Sequence, residues 1–166
     1  DTWETELSAG KDKKETFERL LSEKKLGALA FLRNLRNMSE SGVNPTLIKE
    51  RFNQPLDKVL PFRYIAAYRN APGFASELND AMLRAVKDEP KLNGRTIILI
   101  DVSGSMDDAL SGKSDMKRMD AAVGLAVLVR ELTDNCRVLT FSEQLVEVPS
   151  IRGLGLMREI EHSQQH

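Results

Sequence analysis

Cysteine is nearly absent: the 166 residues hold one, Cys136, so no disulfide can staple the chain internally. A secreted, disulfide-built scaffold is thereby excluded, and a reducing, cytoplasmic setting is the simpler expectation. Aromatic residues make up 5% of the chain, and there are two histidines, His162 and His166, which leaves little material for acid/base chemistry centred on imidazole. No stretch approaches the roughly 20 apolar residues that span a bilayer, and Asp1-Thr-Trp-Glu4 has neither the basic nor the apolar part of a signal peptide. No membrane partner is expected. The chain also opens without methionine, as an excised piece of something longer would. Net charge is −1, with 41% hydrophobic and 30% charged residues, a composition that buries a core.

The charges are not spread evenly. Between residues 24 and 69, nine cations (Lys24, Lys25, Arg33, Arg36, Lys49, Arg51, Lys58, Arg63, Arg69) stand against Glu40, Glu50 and Asp57. Apolar spacing predicts helices over 12–23, with Asp12 as N-cap, and over 26–40, stopped by Ser41-Gly42. Asn44-Pro45 is a cap and first-turn proline for a helix through Phe52. Two further helices are expected over 60–69 and 74–87, separated by Asn70-Ala-Pro-Gly73. Short helices with broad apolar faces read as stacked helical repeats or as an irregular helical domain.

At Arg95 the pattern changes. Thr96-Ile-Ile-Leu-Ile100 is an uninterrupted aliphatic run, the pattern of a strand buried on both faces of a parallel sheet. A helix over 119–132 and a second strand, Cys136-Arg-Val-Leu-Thr-Phe141, complete one βαβ unit. Leu145–Val148 is expected as an antiparallel edge strand and 154–161 as another helix. The expected modules are 1–94, helical, and 95–166, α/β with a mostly parallel sheet.

Asp101, Ser103 and Ser105 alternate just after the first strand, where α/β sheets place ligands. Alternate spacing in an extended loop turns one carboxylate and two hydroxyls to one side, a donor set for a small hard divalent cation such as Mg²⁺. With two neutral ligands the metal keeps charge to accept an acidic group from a partner. A second reading is open, in which the serines cap the turn and Asp101 binds backbone N–H groups. A nucleophilic serine is disfavoured because Asp101 stands where the elbow glycine is needed. Asp107, Asp108 and Asp115 read as solvated loop residues, and no catalytic constellation is seen, so an enzyme is not expected.

In the helical half, Arg33 and Arg36 lie three residues apart with Asn34 between them. Arg63-Tyr64 and Tyr68-Arg69 set cations beside aromatic rings. Guanidinium groups bind phosphate bidentately and stack on unpaired bases, which suits single-stranded RNA; a merely solvated basic face is the competing reading.

Two resemblances rest on these blocks. Asp101-Val-Ser103-Gly-Ser105-Met106 resembles the metal-ion-dependent adhesion site of von Willebrand A domains, where a later threonine and a third-loop aspartate complete the site; neither can be assigned here. Trp3-Glu4, the run Leu26-Gly-Ala-Leu-Ala-Phe-Leu-Arg33-Asn34-Leu35-Arg36-Asn-Met38, the segment Leu60-Pro-Phe-Arg63 and the metal motif occur in the order found in the Ro ribonucleoprotein autoantigen family. That family joins a TROVE module, a ring of HEAT-like helical repeats, to a von Willebrand A domain. The resemblance implies the end of the helical repeats followed by the first half of the A domain, too short to close a ring. It implies small noncoding RNA partners, of the Y type or single-stranded 3′ ends of defective RNAs, and an exoribonuclease as protein partner. It places Arg33, Asn34 and Arg36 at family-motif positions; Arg63 and Arg69 are RNA-binding expectations from chemistry alone.

Overall fold

The computed structural model describes residues 3–8, 12–56, 58–113 and 116–164. Helices come first: α1 (Trp3–Ser8), α2 (Lys13–Ser22), α3 (Ala28–Arg33), α4 (Leu35–Glu40), α5 (Pro45–Phe52), α6 (Pro61–Asn70) and α7 (Ala75–Val86). Then follow β1 (Thr96–Asp101), α8 (Arg118–Glu131), β2 (Cys136–Phe141), β3 (Leu145–Val148) and α9 (Leu154–His162). Helix α1 was not expected from the apolar spacing.

The chain forms two compact units, Asp1–Val59 with Ala67–Ala81, and Leu60–Ala66 with Met82–His166. In the first, the predicted caps are in place. Asp12 Oδ1 accepts from Glu15 N–H at 2.9 Å, and Asn44 Oδ1 accepts from Thr46 N–H at 3.0 Å ahead of Pro45. Each satisfies a donor that the helix start leaves orphaned. Phe17, Leu20, Phe31, Leu35, Met38, Ile48 and Phe52 are buried. Phe52 meets Phe31 edge-on, centroids 4.9 Å apart at 77°, and tilts against Phe74 at 5.9 Å, separations at which aromatic quadrupoles attract.

The single helix expected over 26–40 is two helices. Asn34, with φ −109° and ψ 8°, ends α3 and begins α4. Its Nδ2 donates to Ala30 O at 2.8 Å and its Oδ1 accepts from Asn37 Nδ2 at 3.1 Å. The short amide competes for the backbone groups that a continuous helix would pair, which breaks the helix at this residue.

In the second unit, β1 and β2 run parallel with Ile98 opposite Val138, and β3 is antiparallel to β2 with Val138 opposite Val148. The sheet is therefore mixed, in the order β1-β2-β3. Ile100, Val138 and Val148 belong to the buried side, with Val123, Ala126 and Val127 of α8 and Leu156, Met157 and Ile160 of α9. Strand β1 departs from expectation: Ile97 is 63% and Leu99 58% exposed. Its aliphatic run reflects an edge strand with one covered face, and burial on both faces is corrected. The end of α8 is tied to the segment before α9, where Arg152 grips the buried Glu131 carboxylate with contacts of 2.6–3.1 Å and Arg130 Nε donates to Ser150 O at 2.8 Å.

A candidate cation loop and a candidate RNA surface

Strand β1 delivers Asp101 to the end of the sheet, where Val102 N–H still pairs with Phe141 O at 2.9 Å. The chain then turns. Ser103 is extended, Gly104–Asp107 form a 3₁₀ turn, and Met106 N–H bonds Ser103 O at 2.9 Å. Asp101 Oδ1 accepts the Ser103 N–H at 2.9 Å, and the Ser103 and Ser105 hydroxyl oxygens lie 3.3 Å apart. The Ser103 hydroxyl first, and then its backbone N–H, hold the Asp101 carboxyl below the usual aspartate range by favouring its charged form. The three oxygens expected from the sequence do meet in one loop.

Their chemistry fits a small divalent cation in part. Adjacent ligands of an octahedral Mg²⁺ are about 3 Å apart, given metal–oxygen distances of about 2.1 Å, close to the separation of the two hydroxyls. Of the three, Asp101 is the one anionic donor, and among the described residues no group of three or more His, Cys, Asp or Glu gathers as a cation site. The capping alternative also has support, since Asp101 binds a backbone N–H.

Nearby acids are engaged elsewhere. Asp107 faces Lys117 at 3.6 Å and Asp108 faces Arg118 at 3.6 Å, both solvent-exposed pairs of small energetic weight. Arg118 also donates to Ser105 O at 3.4 Å, a link to the loop that sequence reading missed because thirteen residues separate the two. Asp57, Asp115 and His166 lie outside the described residues.

The RNA candidates divide. Arg33 and Arg36 are exposed, Arg36 lying 3.8 Å from Glu40 one turn on. Asn34, between them, is 3% exposed and committed to the helix junction, so its amide is not presented to a ligand. Arg69 is exposed at the end of α6. Arg63 is half-buried, its guanidinium 5.2 Å from the Phe62 ring. Arg51, one of the nine cations counted above, is buried: Nε donates to Leu26 O and Nη1 to Pro55 O, both at 3.2 Å, and the group lies over Phe31. It ties loops to α5 from within, so the basic surface is smaller than the charge count.

Residues 1–61 match the TROVE domain. No curated protein sequence matches the chain significantly. Among solved structures, the Ro (RSR) protein of Deinococcus radiodurans is similar, with a TM-score of 0.60 at 20% identity. The match covers 89% of this chain and 36% of that one, so the chain spans little more than a third of that protein. At this identity the likeness is one of fold. The TROVE match contains the Leu26–Met38 block, and the structural match reaches beyond the helices; together they bear out the Ro-family resemblance drawn from the motifs.

Proposed function

We propose that this chain is part of a Ro-like, RNA-binding ribonucleoprotein component that takes small noncoding RNA, of the Y type or as single-stranded 3′ ends, in RNA processing or quality control. The observation that carries this reading is the TROVE match over residues 1–61, the segment on which Arg33 and Arg36 stand exposed. Two guanidiniums on consecutive short helices offer charge-assisted, bidentate bonds to phosphate, with Arg69 and Arg63 as further contacts. In the same reading the helices are HEAT-like repeats and residues 95–166 the first half of a von Willebrand A domain. The protein acts in the cytoplasm, without catalysis of its own, and hands RNA to an exoribonuclease.

The test is binding of a labelled single-stranded RNA and a small stem-loop at two salt concentrations. Phosphate contacts release counterions, so affinity falls as salt rises, by about 0.7 in logarithmic slope per contact for single strands. Arg33→Glu with Arg36→Glu is expected to lower affinity at least about tenfold and to flatten the slope by about 1.4. An unchanged slope in a folded double variant removes these residues from the RNA surface.

A second reading is favoured by the convergence of Asp101, Ser103 and Ser105: a metal-dependent protein-adhesion or scaffold module. These three would hold a divalent cation, Mg²⁺ being the one best suited to hard oxygen donors, and the bound ion would supply an open position for a partner's acidic group. With one carboxylate among the three donors, Mg²⁺ binding by this loop is expected to be weak, roughly millimolar. Amide shifts of Val102 to Met106 on titration measure it, and Asp101→Ala should abolish the response. Shifts that persist in the variant place the ion elsewhere. RNA binding indifferent to chelator separates the two readings.

A further inference from the structure

We propose that Arg118, at the start of α8, is a positioning residue for the cation loop, holding the Ser105 peptide so that the Ser105 hydroxyl stands beside that of Ser103. The inference rests on the metal-dependent reading of Asp101, Ser103 and Ser105. Those three donors are fixed by different means. Asp101 ends β1, and its Oδ1 takes the Ser103 N–H at 2.9 Å, so the strand sets the first two. Ser105 lies beyond them, exposed in the 3₁₀ turn. Its hydroxyl has to be held from another side.

The hold comes from α8. Ser105 O accepts the Asp108 N–H at 3.3 Å and Arg118 Nη1 at 3.4 Å. A carbonyl oxygen has two lone pairs, and two donors engage both. The carbonyl is thereby withheld from a cation. What Ser105 presents is its hydroxyl, 3.3 Å from Ser103 Oγ.

Arg118 is itself anchored. Its backbone N–H donates to Asp108 O at 3.0 Å, and Leu110 N–H donates to Met116 O at 2.7 Å, around a bridge between Ala109 and Lys117. Asp120 Oδ2 accepts the Lys117 N–H at 3.0 Å, and Val123, Ala126 and Val127 of the same helix are buried. A fixed helix start therefore reaches across to an exposed turn. The exposed pair of Arg118 with Asp108, at 3.6 Å, adds little stability, so the contribution of Arg118 is to geometry, and a ligand oxygen has to be kept within about 0.5 Å of its place.

Charge and position act here in opposite directions, which makes the role measurable. A guanidinium bonded to the Ser105 carbonyl repels an incoming dication, so removal of a mere bystander would tighten cation binding. Removal of an anchor weakens it. Groups that hold a metal ligand in place are worth about 10–100-fold in affinity, and an exposed contact of 3.4 Å belongs at the low end.

The test is Mg²⁺ titration of the full 166-residue chain, read from the amide shifts of Val102 to Met106. Arg118→Gln should raise the dissociation constant about tenfold, with the melting temperature unchanged. Arg118→Lys, charged but without the planar fork, should weaken binding about threefold. Lys117→Gln removes the neighbouring cation, which pairs with Asp107, and should leave affinity unchanged or slightly higher. Affinity in Arg118→Gln equal to or above that of the wild type, or an equal loss in Lys117→Gln, would overturn the proposal. A wild-type chain that gives no shifts removes the metal-dependent reading itself, and the proposal with it. If Arg118→Gln fails to fold, Arg118→Lys decides in its place, and wild-type affinity there is the overturning result.

Discussion

Replacement of Phe52 by alanine is expected to lower the stability of the helical unit by about 3–5 kcal/mol, the range for deleting a buried aromatic side chain. Phe52 is 2% exposed and its ring contacts both Phe31 and Phe74. Truncation therefore removes the middle member of an aromatic row, and two rings lose packing at once. The neighbour Arg51 raises the cost, because its guanidinium lies over Phe31 and spends its donors on Leu26 and Pro55 carbonyls. A cavity beside that buried cation leaves it less well packed. Urea unfolding followed by far-ultraviolet circular dichroism measures the loss. Phe52→Leu, which retains much of the volume, should recover a large part of it; a loss below about 1 kcal/mol in Phe52→Ala would mean that the row relaxes to fill the space.

The second large effect concerns a hydrogen atom. A Cβ on Gly124 in α8 would stand 2.8 Å from Phe62 Cβ, 3.0 Å from its Cα and 3.1 Å from its N. Those atoms are at or next to the main chain, so a rotamer change does not relieve the clash. Glycine to alanine inside a helix ordinarily stabilises by about 1 kcal/mol, yet overpacking of this kind costs about 1–3 kcal/mol. Gly124→Ala should therefore be net destabilising, and Gly124→Val more so, lowering the melting temperature by about 2–4 °C for each kcal/mol lost. Gly27 is the control: nothing lies within 4 Å of an added Cβ there, and its φ is −64°. Gly27→Ala should leave stability nearly unchanged.

Local chemistry was the most readable part of the sequence. The caps at Asp12 and Asn44, the proline opening α5, and the strands β2 and β3 follow from nearest-neighbour physics and stand where expected. The parallel pairing of β1 with β2 through α8 follows from the same pattern. Tertiary context was less readable. Five consecutive residues that suit a strand cannot reveal how many of its faces are covered, and β1 has one open face. Asn34 illustrates the limit differently. Apolar periodicity runs straight through it, while its side chain ends one helix and starts the next through bonds to Ala30 and Asn37. The motif spelled Arg-Asn-Leu-Arg thus mixes two roles, exposed cations at its ends and a buried joint inside. Arg51 shows why a charge count overstates a surface: burial depends on loops that no local window contains. At the candidate cation loop, alternate spacing after a strand was enough to foresee that Asp101, Ser103 and Ser105 would meet, because extended geometry alone brings them there.

The bonds that Ser103 gives Asp101 also set how the loop answers acidity. A carboxyl held below its ordinary range contributes stability that is fully present above the unfolded value and is lost only as pH falls through the lowered folded one. Across mildly acidic and neutral solution the loop therefore keeps a constant negative charge. It is deaf to the proton over the range in which cells vary it, and whatever it recognises is admitted or refused on other grounds.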